Sequence, residues 1–210
     1  MRIITVIAGI AMGLAGFCAC SGTKMQSNPT PMPSAVPDHV VVVVEENHSY
    51  SEIIASSAAP YINSLAAQGA LFTQSYAIMR PSQPNYLAIF SGGAQGVTDD
   101  SCPHTFSADS LESELLAKKK TFTGYSEGLP QAGSMTCSAG EFARKHVPWT
   151  DFSKDNPNDN QPFTSFPTDF NQLPLVSFVI PDLLDDMHDG SIAHGDVWLQ
   201  ANLSAYARGR

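Results

Sequence analysis

Two stretches of this 210-residue sequence carry carboxylates and imidazoles directly after apolar runs. The first is EENH at residues 45–48, which follows five consecutive valines. The second contains Asp186, His188 and Asp189, shortly after the apolar residues 175–180. Carboxylate and imidazole together form a common ligand set for divalent transition metals. The two stretches are therefore candidate parts of one metal site.

Ser82 lies between two prolines, Pro81 and Pro84, and Asn85 begins an apolar run that stops at Gly92. A hydroxyl is a weak nucleophile at neutral pH and needs a metal ion or a base to activate it. The start of a helix presents unpaired backbone N–H groups that can receive a phosphate. The turn is compatible with an ordinary structural serine, but its constrained position also suits phosphate chemistry at Ser82.

Strands and helices that alternate along the chain would position these groups. Residues 39–44 and 175–180 are apolar runs rich in β-branched residues, which predict strands buried on both faces of a parallel sheet. Because strands alternate with helices, the sequence predicts an α/β fold whose ligands bind at the carboxyl ends of the strands. We also expect strands at 70–78 and 121–125, helices at 60–66, 85–90, 107–120 and 195–207, and a long polar surface loop at 150–172.

The first 37 residues differ in composition from the rest. Residues 1–20 combine Met1-Arg2 with an apolar stretch, which predicts a signal peptide and hence an exported protein. Cys20 after Ala19 resembles a bacterial lipoprotein signal, so acylation of Cys20 and simple cleavage both stay open. Residues 21–37 contain four prolines and predict a disordered linker. Residues 38–210 have the size of one domain.

Charge and cysteine content exclude some functions. A net charge of −9 argues against nucleic-acid binding, which needs basic patches. Cys102 and Cys137 are available to each other in an oxidising compartment, so a disulfide is expected and free thiols are the alternative. Neither has a neighbouring cysteine at ligand spacing, so we do not expect this pair to bind a metal.

Seven segments together resemble the bacterial phosphoesterase family of acid phosphatases and phospholipases C. In order and at compatible spacing they cover nearly all of residues 39–207. Within the family they resemble secreted mycobacterial acid phosphatases that act on phosphoinositides. The resemblance implies an alkaline-phosphatase-like fold, with a mostly parallel sheet and helices on both faces. The segments are VVVEEN (42–47), PYINSLA (60–66), RPSQPNYLAIFSG (80–92), CSAG (137–140), ARKHVPW (143–149), VSFVIP (176–181) and DMHDGS (186–191).

The resemblance also implies roles for matching positions. Ser82 would be the nucleophile that carries a transient phosphoryl group, Asn85 a donor to phosphate oxygen, and His146 a phosphate ligand or the acid for the leaving group. A divalent metal ion of unknown identity is the implied cofactor. Its implied ligands are Glu46, Asn47, Asp186, His188 and Asp189. The implied substrate-binding residues are Asn47, Arg80 and Lys145.

The sequence departs from the family pattern in two places. Arg80 stands where relatives commonly have histidine; arginine keeps a cation near the phosphate but cannot shuttle a proton near neutral pH. Relatives continue beyond residue 207 into another strand, which ends in an acidic Trp-Asp-Glu-Asp run, and then a histidine-bearing segment. This sequence stops at Arg210, so we expect a domain truncated at the C-terminus, with an incomplete sheet and fewer metal ligands.

Three functions follow from these observations. The first is hydrolysis of phosphate monoesters, with phosphoinositides among the candidate substrates. The second is a phosphodiesterase or phospholipase C, because the same nucleophile turn serves both reactions. The third is an inactive surface lipoprotein that only binds phosphate or a partner, which the missing ligands favour. In each case the protein is secreted, periplasmic or lipid-anchored, and a lipid anchor is its only expected membrane contact.

Overall fold

The computed structural model describes residues Ile4–Ala8 and 37–209. The predicted linker at 21–37, apart from Pro37, and the lipidation site at Cys20 lie outside the described residues. The predicted signal peptide also lies outside them, apart from Ile4–Ala8. The strands are β1 Ile4–Ala8, β2 Val40–Glu45, β3 Phe122–Ser126, β4 Ser138–Ala139, β5 Phe142–Ala143, β6 Asn160–Pro162 and β7 Val176–Ile180.

Five α-helices accompany these strands in the described part of the chain. They are α1 Tyr50–Ile53, α2 Pro60–Gln68, α3 Gln83–Ser91, α4 Leu111–Ala117 and α5 Ile192–Ala207. Short 3₁₀ turns occupy Arg144–His146, Pro148–Asp151, Pro157–Asp159, Phe163–Ser165 and Phe170–Gln172. Among the described residues, no helix has the length and apolar character needed to cross a membrane.

The main sheet has the strand order β1-β2-β7-β3-β6. Strands β2, β7, β3 and β6 run parallel, and β1 pairs antiparallel with β2. Val43 of β2 lies opposite Val179 of β7, which in turn lies opposite Tyr125 of β3. The carboxyl ends of the three central strands therefore lie along one edge, as expected for an α/β sheet.

Both faces of the sheet are covered by helices. One face carries Tyr86, Leu87 and Phe90 of α3, packed with Phe122 and Phe178. The other carries residues of α1, α2 and α5, packed on Val41, Val43 and Val179: Ile53, Ile62, Trp198, Leu199 and Leu203. Alternate residues of β2 enter opposite cores, which is the period of a strand. The predicted mostly parallel sheet with helices on both faces is confirmed.

Three secondary-structure predictions were wrong in whole or in part. Residues 70–78 form no strand, and Phe72 and Ile78 are exposed; an apolar run becomes a strand only where another strand can pair with it. The helix expected at 107–120 is shorter, because the Ser110 side chain accepts from the backbone N–H of Ser113 and starts α4 there. The loop expected at 150–172 contributes the edge strand β6.

Candidate active site

The two polar stretches that follow β2 and β7 meet at the carboxyl edge of the sheet. The backbone N–H of Glu46 donates to the carbonyl of Asp186 at 2.9 Å. Each stretch turns through a left-handed residue, Asn47 with φ 74° and Met187 with φ 70°. Such a conformation costs a non-glycine residue about 1–2 kcal/mol, and backbone strain of this kind concentrates at functional sites. Both turns are therefore held by their surroundings.

Met187 shows how its turn is held. Its side chain is buried in the core against α5. Gly195 makes room for it, because a Cβ atom at Gly195 would lie 2.5 Å from Met187 Cγ. With Met187 directed into the core, its neighbours Asp186 and His188 turn toward the site, where the backbone N–H of His188 donates to Asp186 Oδ1 at 2.7 Å.

Ser82 and Glu46 form the centre of the site. Ser82 is the N-cap residue of α3, but its side chain does not cap the helix. Its hydroxyl donates instead to Glu46 Oε2 at 2.7 Å. Glu46 Oε1 lies 2.5 Å from His146 Nε2 and 3.1 Å from His188 Nδ1. One buried carboxylate thus joins the predicted nucleophile to two imidazoles.

Glu46, His146 and His188 also fit a metal ion. Each offers one ligand atom, and the three atoms lie within 4.8 Å of one another. His146 Nε2 is buried and close to Glu46 Oε1, yet it forms no aligned hydrogen bond within the described residues. Asp186 Oδ2 lies 2.9 Å from His146 Nδ1, as a carboxylate does when it orients a metal-binding histidine. The donor set suits a divalent transition metal.

The charged side chains of this cluster shift one another's pKa values. Burial alone would raise the pKa of the Glu46 carboxyl, but the adjacent His146 charge and the hydrogen bonds from His188 and Ser82 hold that pKa well below its usual range. Burial disfavours the charged form of His146, whereas Glu46 and Asp186 raise its pKa to about 9. Burial raises the pKa of Asp186, against the effect of His146. Glu46 is therefore ionised at neutral pH.

Tyr86 packs His146 in place. The two rings stack with centroids 4.5 Å apart and planes 8° from parallel. The Tyr86 hydroxyl also donates to Glu46 Oε1 at 3.4 Å. Sequence reasoning assigned Tyr86 no role, although it lies next to Asn85 in the motif of the nucleophile turn. A buried tyrosine hydroxyl usually needs a polar partner, and this requirement could have indicated that Tyr86 contacts the polar residues of the site.

Asn85 stabilises the turn before α3. Its side-chain oxygen accepts from the backbone N–H groups of Ile78 and Met79. Its side-chain nitrogen donates to the carbonyls of Met79, Pro81 and Ser82. All of these partners are backbone groups. In the structure, the Asn85 side chain therefore stabilises the backbone conformation of the turn. Its role as a phosphate donor stays a prediction.

Three other predicted residues lie around the rim. Asn47 is exposed, and its side-chain nitrogen donates to the carbonyl of His188 at 3.0 Å. Asp189 is also exposed, and its carboxylate is not part of the group formed by Glu46, His146 and His188. Arg80 is exposed two residues before the nucleophile. The metal roles of Asn47 and Asp189 and the substrate role of Arg80 stay predictions.

Lys145 extends the site through a residue that sequence reasoning missed. Its Nζ lies 3.4 Å from His188 Nε2 and 3.0 Å from Asp100 Oδ2. Asp100 Oδ1 accepts from the backbone N–H of Gln83 at 3.0 Å. Asp100 precedes Cys102 by two residues, and the Cys102–Cys137 disulfide is formed as predicted. The expected disulfide was the signal that could have placed Asp100 near Lys145.

A second carboxylate group lies at the ends of β3 and β7. Glu127, Asp182 and Asp185 offer oxygens within 4.8 Å of one another. Both oxygens of Glu127 are already used, one by the Trp198 indole N–H and one by the backbone N–H of Asp182. These hydrogen bonds account for the cluster without a ligand.

Comparison with known proteins shows the family of the chain. The chain is 54% identical over 179 residues to the phosphatidylinositol-3-phosphatase of Mycobacterium tuberculosis, a match that covers 83% of this chain and 60% of that protein. It is 32% identical over 149 residues to an acid phosphatase of Aspergillus fumigatus, covering 64% of this chain and 33% of that one. The matched part thus spans about 60% or less of these relatives. Residues 53–210 match the Phosphoesterase family, and the chain belongs to that family.

Proposed function

We propose that this protein hydrolyses phosphate monoesters with Ser82 as the nucleophile. The observation that carries the proposal is the hydrogen bond from Ser82 to Glu46 Oε2 at 2.7 Å, with two imidazoles on the other oxygen of the same carboxylate. The phosphatase names of the relatives support the same reaction class.

Glu46, His146 and His188 would hold a divalent metal ion. When bound, such an ion supplies Lewis-acid stabilisation of an alkoxide and of phosphate oxygens. Asp186 would keep the His146 ring oriented, and Tyr86 would fix its plane by stacking. Lys145 adds a positive charge at the rim, 3.4 Å from His188, where it would face the oxygens of a phosphate group.

The side chains suggest how the proton moves. Ser82 Oγ would form a bond to phosphorus while the bond from phosphorus to the alcohol oxygen breaks. The Ser82 proton would leave along its hydrogen bond to Glu46 Oε2, and the departing alcohol oxygen would take up a proton from water. Because the pKa of Glu46 is held low, this carboxylate would release the proton to water rather than keep it. Water would then cleave the phosphoserine, returning the proton to Ser82 and releasing phosphate.

The substrate and compartment are part of the proposal. A relative named phosphatidylinositol-3-phosphatase makes a phosphoinositide the first lipid to test. Export is supported by the apolar N-terminal stretch and by the Cys102–Cys137 disulfide, since disulfides persist in oxidising compartments. Acylation at Cys20 would add a lipid anchor.

The test compares the wild-type chain with Ser82→Ala on para-nitrophenyl phosphate and on vesicles that contain phosphatidylinositol 3-phosphate. We expect Ser82→Ala to lower kcat by on the order of 10³-fold or more. Ser91→Ala is the matched control, because the Ser91 hydroxyl lies at the other end of α3, where it donates to backbone carbonyls and accepts from Gln95 Nε2. Equal turnover by wild type and Ser82→Ala would overturn the assignment.

Two further arms separate the other functions. Chelator should abolish turnover by the wild type, and a divalent transition metal should restore it. Faster hydrolysis of bis-para-nitrophenyl phosphate than of the monoester would favour a phosphodiesterase or phospholipase C. Phosphate binding without turnover of either ester would identify an inactive binding protein.

A further inference from the structure

We propose that Asp100 is a positioning residue that fixes the Lys145 ammonium group beside the nucleophile turn. This inference rests on the proposed phosphatase function, and it assigns a role to a residue outside the predicted site. Asp100 acts through Lys145 and the backbone of α3, so it would not itself touch the substrate.

The contacts of Asp100 connect two parts of the site. Its Oδ1 accepts from the N–H of Gln83, the residue that follows Ser82, and its Oδ2 lies 3.0 Å from Lys145 Nζ. Lys145 Nζ lies 3.4 Å from His188 Nε2, and His188 contacts Glu46. The side chains of Lys145 and Asp100 are 19% and 28% exposed, so water screens this pair less than a surface pair.

The backbone that carries this pair is held independently. The Cys102–Cys137 disulfide joins the Asp100 loop to the segment before Lys145. The carbonyl of Cys137 accepts from the backbone N–H of Arg144 at 3.0 Å. The Arg144 guanidinium is itself buried and paired with Asp151 at 2.9 Å. Both chain segments are therefore fixed where the Asp100–Lys145 pair forms.

A fixed lysine has a consequence for the reaction. The lysine side chain is a flexible stem with a point charge, and it has many rotamers to lose on ordering. Asp100 would order the Lys145 charge before substrate arrives, which favours the transition state more than substrate binding. Removing Asp100 should therefore lower kcat more than it raises KM.

A double-mutant cycle tests this role with para-nitrophenyl phosphate as the probe. We expect Lys145→Met to lower kcat/KM by about 10²-fold, the usual cost of one donor to a developing charge. Asp100→Asn keeps an acceptor for Gln83 but removes the charge that orders Lys145, and it should cost about tenfold, mostly in kcat. In the Lys145→Met background the same Asp100→Asn change should cost less than about twofold, because the two residues act as a unit.

Two more variants control for structure. Asp100→Glu retains the charge and should recover part of the kcat lost in Asp100→Asn. Asp99→Asn removes the same charge one residue earlier, where the carboxylate only accepts from Ser101 among the described residues, and it should match the wild type. Thermal unfolding of every variant checks that it is folded.

The outcomes are distinguishable. Losses from Asp100→Asn and Lys145→Met that multiply in the double variant would overturn the positioning role. So would faster turnover by Asp100→Asn, since Asp100 would then compete with phosphate for Gln83 and Lys145. Both results require a wild type that depends on Ser82. Wild-type activity that is absent or unaffected by Ser82→Ala would overturn the proposed function and this inference with it.

Discussion

Glu46 and Glu112 are both buried acids, with exposed fractions of 2% and 0%, but the structure shifts their pKa values in opposite directions. Burial raises the pKa of each carboxyl. Around Glu46, two imidazoles and a hydroxyl reverse that effect and lower the pKa. Around Glu112, burial and the neighbouring Asp155 and Asp159 raise the pKa to about 8, despite a hydrogen bond from the backbone N–H of Asn156.

The opposite pKa shifts distinguish the candidate active site around Glu46 from the structural cluster of acids around Glu112. Glu46 is ionised and contacts groups that carry or transfer protons. Glu112 stays protonated near neutral pH among other acids, and burial raises the pKa of Asp155 to about 6. A buried carboxyl is thus no indication of catalysis by itself, because the groups around it decide which form is stable.

The largest expected effect comes from neutralising each glutamate in turn. Glu46→Gln should lower phosphatase kcat by on the order of 10³-fold and abolish metal binding, because it removes the negative charge that holds the metal ion and takes up the Ser82 proton. Glu112→Gln is the matched control and should retain wild-type activity. Steady-state kinetics and calorimetric titration with a divalent metal would measure both. Wild-type activity in Glu46→Gln would contradict a catalytic or metal-binding role for Glu46.

A smaller effect is expected from the disulfide, whose closed loop contains Glu112 and whose ends lie near Lys145. The double change Cys102→Ser with Cys137→Ser should lower the free energy of unfolding by about 3–4 kcal/mol, the loop-entropy value for a sequence separation of 35. It should also lower activity, since the Asp100 loop loses its covalent tie. Urea unfolding of oxidised and reduced protein would measure the stability. Equal urea midpoints for the two forms would show that the disulfide does not stabilise the folded state.

The smallest effect concerns stability against pH. Folded Glu112 keeps its proton up to a pKa of about 8, whereas an unfolded glutamate loses it near 4.5. The folded state therefore binds more protons in this interval, and stability should fall as pH rises from about 4.5 through 8.

Glu112→Gln removes this ionisation and should be more stable than wild type at pH 8, by roughly 1–2 kcal/mol after allowance for relaxation around the site. The difference should shrink toward pH 5, where wild-type Glu112 is protonated in the fold. Thermal unfolding across this range would measure it. A constant difference at all pH values would contradict the raised pKa.

Several elements were evident in the sequence for local reasons. The strands β2 and β7 were predicted because their apolar residues form continuous runs buried on both faces, and β3 was predicted to within one residue of its bounds. Helix α3 was predicted from the apolar run that begins at Asn85 and stops at Gly92, where Gly92 adopts φ 76°. Glu46, Ser82 and His188 were also predicted, because strand ends and a helix start are where this fold gathers reactive groups.

Tertiary structure decided what these local signals could not. Residues 70–78 have the composition of a strand but no strand pairing, and pairing depends on a distant segment. Asn47 and Asp189 follow Glu46 and His188 in sequence yet are exposed, because a left-handed turn at one residue redirects its neighbours. His146, Tyr86 and Asp100 join Glu46, Ser82 and Lys145 through contacts across tens of residues. The sequence by itself determined which residues could react; packing between distant segments determined which of them meet, since side-chain contacts depend on distance in space.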